Sequence, residues 1–189
     1  MKTWSPLSLC LCATLLSPTA ALSQDGTFEL FDSNISVAEV LKTQRAWCDA
    51  LLAISRDYRT GGINKAKAKA AQAIDTAYAY QYGPVAFKPT LAWGEQTFRT
   101  TREGALAYFI GHNPNYPNDQ GFALKPWARC SIHNKVIQLD GVSAISMGNV
   151  KLTTLNGKVT TVDKSWTFVR ESDGQVRIVM HHSSLPYEP

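Results

Sequence analysis

The chain has 189 residues, 44% of them hydrophobic and 18% charged, with a formal charge of +4. That suffices for one domain with a sizeable core. It excludes a nucleic-acid surface, which would concentrate Lys and Arg on one face; "NKAKAKAA" at Asn64–Ala71 instead spreads its lysines among alanines, as a solvated helix face does.

The first residues read as a processing signal. Lys2 precedes an apolar run, Leu7–Leu16, and Ala21-Leu22-Ser23 fits a small-x-small cleavage site. The run is too short to span a bilayer and no later stretch reads as transmembrane. The expectation is a signal peptide over 1–23, a single domain over 24–189 starting near Gln24, and export to a periplasm or secretion, with no membrane partner. Cys10 and Cys12 leave with the signal. Cys48 and Cys130 remain, either bridged, as an oxidising compartment permits, or as two buried small apolar residues.

Two helices come first. In "SVAEVLKTQRAWCDALLAISRDY" the residues Val37, Val40, Leu41, Gln44, Trp47, Cys48, Leu51, Ser55 and Tyr58 form one stripe. Ser36 and Glu39 make a capping box, with Ile35 and Val40 as its hydrophobic staple. Thr60-Gly61-Gly62 stops this helix, and an alanine-rich one follows from Asn64 to about Gln81. "VAFKPTLAWG" is a short extended segment, because Pro89 pushes Lys88 away from helical geometry. Thr100 and Glu103 read as a second capping box, opening a short helix that Gly111 closes.

From about Phe122 the character changes. Asp140-Gly141, Asn156-Gly157 and Asp173-Gly174 are tight-hairpin signals. They divide four strands: "WARCSIHNKVIQL", "VSAISMGNVKLTT", "KVTTVDKSWTFVR" and "QVRIVMHHSS". Helices followed by a meander give an α+β fold: helices packed on a strongly curved antiparallel sheet, with a cavity at the open end. In "VRIVMHH", apolar residues on both faces predict a homodimer packed sheet to sheet.

The histidines are His112, His133, His181 and His182. A catalytic zinc would need His112, His133 and one of the pair to converge. Adjacent strand residues diverge, so His181 and His182 cannot both ligate one ion without a bulge. Ser183 and Ser184 lack a nucleophile elbow. Three hydroxyls remain as candidates for a small polar site: Thr90, Tyr108 and Ser183. If Ser183 faces inward, period two brings His181, Val179 and Arg177 to the same face.

The order of helices, short helix, meander and final "HHSS" strand resembles the cone-shaped nuclear-transport-factor-2-like fold. More closely, "HHSSLPY", "SMGNVKLTT" and "VDKSWTFVR" resemble the iota class of carbonic anhydrases, over Ser36 to about Glu188. The resemblance implies CO2 hydration to bicarbonate. It implies Thr90, Tyr108 and Ser183 as catalytic, bicarbonate-holding residues. His181, whose side chain has an ordinary pKa near 6.5, is the natural proton shuttle, with His182 its alternate if the strand bulges, and His182 and Ser184 are further candidate substrate contacts. Some members of the class are metal-free and others use zinc or manganese. Many carry an additional histidine before this motif, where Met180 stands here, so the metal-free version is expected. Two rival readings follow from the fold: a non-catalytic ligand-binding or assembly module, or a SnoaL-like cyclase or isomerase, for which Asp163 and Asp75 are the available carboxylates.

Overall fold

A computed structural model describes residues 32–189. The expected signal peptide and its two cysteines lie outside the described residues. Helix α1 (Val37–Ala77) has two arms joined at Gly62, whose φ of 74° and ψ of −171° break the helix. Only glycine adopts that backbone without strain, so the stop expected at Thr60–Gly62 is a hinge between two helices. The Ser36–Glu39 capping box forms as expected. The buried stripe runs through Val40, Gln44, Trp47, Cys48, Leu51, Ile54 and Ser55, while Val37 and Tyr58 at its ends are exposed.

The second arm ends at Ala77, four residues earlier than the sequence suggests. Tyr78 turns extended and bridges to Ile178, and the Ala79 N–H donates to the Ile178 carbonyl at 3.1 Å. Sheet pairing therefore outcompetes the helix propensity of the following residues. Strand β1 (Ala86–Lys88) and helix α2 (Arg102–Ile110) come next. The cap of α2 is Thr101, which accepts from the Gly104 N–H, and not Thr100; Glu103 instead accepts from the side chains of Asn113 and Asn115.

The four strands of the meander form as read: β2 (Trp127–Asp140), β3 (Ser143–Thr154), β4 (Val159–Arg170) and β5 (Val176–Ser184). The sheet order is β1-β5-β4-β3-β2, and β1 pairs with β5 in parallel. The sheet is thus mixed, with one strand more than the expected meander.

Bulges bend it. In β2 the register slips between Asn134 and Val136. Opposite, a Cβ on Gly148 would lie 2.1 Å from the His133 carbonyl oxygen, so only glycine allows that approach. The concave face carries Ala144, Val150, Leu152, Val162, Trp166, Phe168 and Ile178, and both arms of α1 cover it. Gln44 clamps α1 to the sheet, donating to Asn134 and to Ser146. Cys48 and Cys130 are bridged, with Cα atoms 5.6 Å apart, which ties α1 to β2 a second time.

Candidate active site

β5 sets the site. Its inner face presents His181 and Ser183, both buried, and its outer face His182 and Ser184. A bulge between Thr167 and Phe168 of β4 and the facing Met180 and Ile178 changes the parity of the strand. Ile178 is therefore the inward residue below His181. The expectation that strict period two would put Arg177 on that face is corrected by this bulge, while Val179, the extra residue, stays half-buried against the core. Arg177 instead pairs with Asp173 at 2.8 Å.

Thr90 reaches the site from the loop after β1. Parallel pairing of Phe87 with His181 and Lys88 with His182 fixes the start of this loop, and the Lys88 Nζ donates to the Ser183 carbonyl at 3.0 Å. The far end is held by Arg99, whose N–H donates to the Phe87 carbonyl at 2.8 Å and whose side chain pairs with Asp119 in the interior. Between these anchors, Thr90 Oγ1 lies 2.6 Å from Ser183 Oγ. Thr90 is half-buried and Ser183 fully buried, so the pair joins the interior to the surface.

Tyr108 comes from α2. Its ring is stacked on Phe122 and edge-on to Phe87. The hydroxyl lies beside the Thr90 side chain and the Leu91 backbone, yet it is buried with no hydrogen-bond partner in the protein. Burial dominates and pushes its pKa well above the ordinary 10.0. The phenol is thus a protonated donor without an acceptor, an arrangement native interiors seldom leave unused.

His181 is placed differently from the shuttle the sequence suggests. It is enclosed by the rings of Phe87, Trp47, Trp166 and Tyr78. The Tyr78 hydroxyl is 2.7 Å from Nδ1, and the Lys164 Nζ is 2.5 Å from Nε2. Neither ring nitrogen is free to exchange protons with solvent. Burial dominates and holds its pKa well below 6.5. His182 and Ser184 are on the other face of the strand, directed away from the hydroxyl cluster.

Lys164 is the residue the sequence reading missed. It faces inward between Val162 and Trp166, opposite Ser183 across the β4–β5 pair. Period two along "VDKSWTFVR" carried the signal. Its Nζ sits 4.6 Å from the Trp47 ring centroid and 5.4 Å from that of Trp166. Those rings favour an ammonium by about 2 kcal/mol. Burying an ammonium without an anion costs several kcal/mol, and no carboxylate among the described residues forms an ion pair with it. Burial wins, and its pKa lies well below the ordinary 10.5.

The metal alternative fails on placement. His133 is exposed on β2 and His112 is exposed just beyond α2, so neither meets His181. Among the described residues no group of three or more His, Cys, Asp or Glu side chains could hold a metal ion. The carboxylates of the isomerase reading are also elsewhere: Asp163 is exposed and accepts from Asn149, and Asp75 is exposed and bound to Arg102.

A curved sheet wrapped by helices is the nuclear-transport-factor-2-like fold, and here it carries a small cluster of hydroxyls. A protein of that superfamily from Salmonella enterica serovar Typhimurium superposes with a TM-score of 0.50 at 12% identity, over 80% of this chain and 91% of the other, which bears on the fold alone. The crystal structure of the iota-carbonic anhydrase from a cyanobacterium, complexed with bicarbonate, superposes with a TM-score of 0.85. It is 51% identical and matches 86% of this chain and 99% of that one. A metal-independent carbonic anhydrase from Nostoc sp. is 54% identical over 154 residues, 82% of this chain and 75% of the other. The family model for metal-independent carbonic anhydrases matches residues 38–185. The chain belongs to the metal-independent carbonic anhydrase family.

Proposed function

We propose that this chain hydrates CO2 to bicarbonate at the hydroxyl cluster of Thr90, Ser183 and Tyr108. The observation that carries this assignment is the 2.6 Å contact between Thr90 and Ser183 beside a buried Tyr108 hydroxyl that has no partner. A planar three-oxygen anion offers that hydroxyl an acceptor.

The chemistry follows from what alcohols do. Each hydroxyl of the Thr90–Ser183 pair both donates and accepts. A water held there attacks the CO2 carbon. As its oxygen bonds to carbon, its proton passes to one hydroxyl while that hydroxyl passes its own to the next. Thr90, at the surface end, hands the proton to solvent. The Tyr108 O–H meets the charge growing on the carbonate oxygens, a preorganised donor in a water-poor site. The ring walls of Phe87, Tyr108 and Phe122 hold CO2 next to the water and supply proximity. His181 fixes β5 two residues from Ser183 and does not exchange protons with solvent.

The direct test is binding. Titration of bicarbonate labelled with carbon-13 should show a saturable bound resonance in the wild type, weakened in Tyr108→Phe. An unchanged affinity in Thr90→Ala, Tyr108→Phe and Ser183→Ala alike overturns the assignment.

Two further readings belong to this proposal. The first is export with cleavage near Gln24, supported by the Lys2, Leu7–Leu16 and Ala21–Ser23 pattern and by the bridge between Cys48 and Cys130, since such bridges persist in oxidising compartments. N-terminal sequencing of the protein from its native host tests it. The second is a homodimer through the outer sheet face. Val136 and Met147 are paired across β2 and β3 and exposed, with Ile145 beside them. A monomer in sedimentation at micromolar concentration contradicts that arrangement.

A further inference from the structure

The hydrogen bonds around His181 have only one polarity that gives the Tyr78 hydroxyl an acceptor. The Trp47 Nε1–H is a donor only, and it donates to the Tyr78 oxygen at 2.9 Å. Among the described residues, that oxygen has one other partner, His181 Nδ1. The Tyr78 O–H therefore finds an acceptor only if Nδ1 is unprotonated. A neutral imidazole then carries its proton on Nε2, which faces the Lys164 Nζ. For that contact to be a hydrogen bond, the Lys164 nitrogen must offer a lone pair. The opposite polarity, with an ammonium donating to Nε2 and Nδ1–H donating to Tyr78, leaves the Tyr78 O–H buried without an acceptor.

We propose that Lys164 is a positioning residue: an uncharged amine that ends the chain Trp47→Tyr78→His181→Lys164 and thereby locks His181 in its Nε2–H form beneath Ser183. The titratable groups facing Lys164 are His181 from β5 and, through it, Tyr78 at the end of α1; the remaining neighbours, Trp47 and Trp166, present rings. None carries negative charge, in agreement with the desolvated amine. Protonating Lys164 reverses the chain, strands the Tyr78 hydroxyl and disturbs β5 two residues from Ser183. Lys164 thus sets an acidic limit to activity without touching substrate.

The kinetic part rests on the CO2-hydration reading; the protonation states do not. Side-chain nitrogen-15 NMR of the wild type at neutral pH should show His181 protonated at Nε2 and bare at Nδ1, and Lys164 Nζ as an amine. An ammonium at Lys164, or a proton on Nδ1, overturns the proposal whether or not the protein hydrates CO2. Substitutions add a result that simple charge conservation does not give. Gln in Lys164→Gln can accept from Nε2–H, whereas Arg in Lys164→Arg is always charged and only donates. Lys164→Gln should keep kcat/KM within about tenfold of the wild type, and Lys164→Arg should lose about a hundredfold or more. The reverse order of the two variants contradicts the inference. Failure of either variant to fold leaves the wild-type NMR result to decide.

Discussion

Ser183 Oγ and Thr90 Oγ1 are 2.6 Å apart, although 93 residues separate them in the chain. The contact exists because the last strand pairs in parallel with a three-residue strand, β1, that precedes the Thr90 loop. If this pair relays the proton and Tyr108 donates to the growing charge, each group contributes a transition-state interaction. Thr90→Ala, Ser183→Ala and Tyr108→Phe should each lower kcat/KM about 10²-fold or more by stopped-flow CO2 hydration. Tyr108→Phe should leave the thermal midpoint unchanged or raise it, because it removes a buried polar atom that has no partner.

The two histidines of the final strand should separate cleanly. His181 is buried with both ring nitrogens engaged, and His182 is exposed on the outer face. His182→Ala should change kcat/KM by less than about twofold, as surface substitutions usually do little. His181→Ala removes a packed ring and strands Tyr78, and should cost about 3 kcal/mol or more in urea unfolding. Equal effects of the two substitutions would contradict the assigned strand parity.

The bridge between Cys48 and Cys130 closes 82 residues of chain. In the chain-entropy account a loop of that length gives roughly 4–5 kcal/mol. Cys48→Ser paired with Cys130→Ser should lower the unfolding free energy by up to about that amount. Activity at low temperature should persist, because the bridge joins α1 to β2, far along the sheet from β5. Loss of activity in a double variant that is still folded would show that the bridge shapes the site.

Lys164 links stability to pH. Its folded pKa is depressed from 10.5 by burial, so the unfolded chain binds a proton the folded chain refuses. The stability this group contributes is whole above pH 10.5 and is lost as pH falls through its folded value. Between pH 7 and 10 the unfolding free energy should therefore rise with pH, by up to about 1.4 kcal/mol per unit for one proton. Below 6.5, His181 adds to the loss in the same direction. Glu39, held at about 2 chiefly by the Ser36 backbone N–H and then by Arg170, adds its own loss as pH falls from 4.5 toward 2. Lys164→Met should flatten the slope between pH 7 and 10; a slope that persists would assign it to another group.

The meander was legible residue by residue, because its Asp-Gly and Asn-Gly turns and its alternation are local properties. The capping box at Ser36 and the break at Gly62 were legible for the same reason. What pairs with what was not. The β1–β5 pairing joins segments about ninety residues apart, and no periodicity records it. The bulge that turns Ile178 inward and moves Arg177 off the Ser183 face breaks the period-two rule from which the face of Arg177 was inferred. Thr90, Tyr108 and Ser183 stood out as candidate hydroxyls, the resemblance gave them their roles, and the structure brings them to one place. His182 and Ser184, neighbours of Ser183 in sequence, lie on the other face of the strand. Lys164 was passed over because lysine ordinarily marks a solvated position, although its alternation with Val162, Trp166 and Phe168 placed it inside.

The most direct measurement is CO2 hydration by the wild-type protein after exhaustive chelation, with metal content determined on the same sample and Ser183→Ala measured beside it. The account predicts full activity at a metal content far below one ion per chain, and a drop of about 10²-fold in the variant. Activity that disappears on chelation and returns with zinc or manganese, or a Ser183→Ala variant as fast as the wild type, would contradict it.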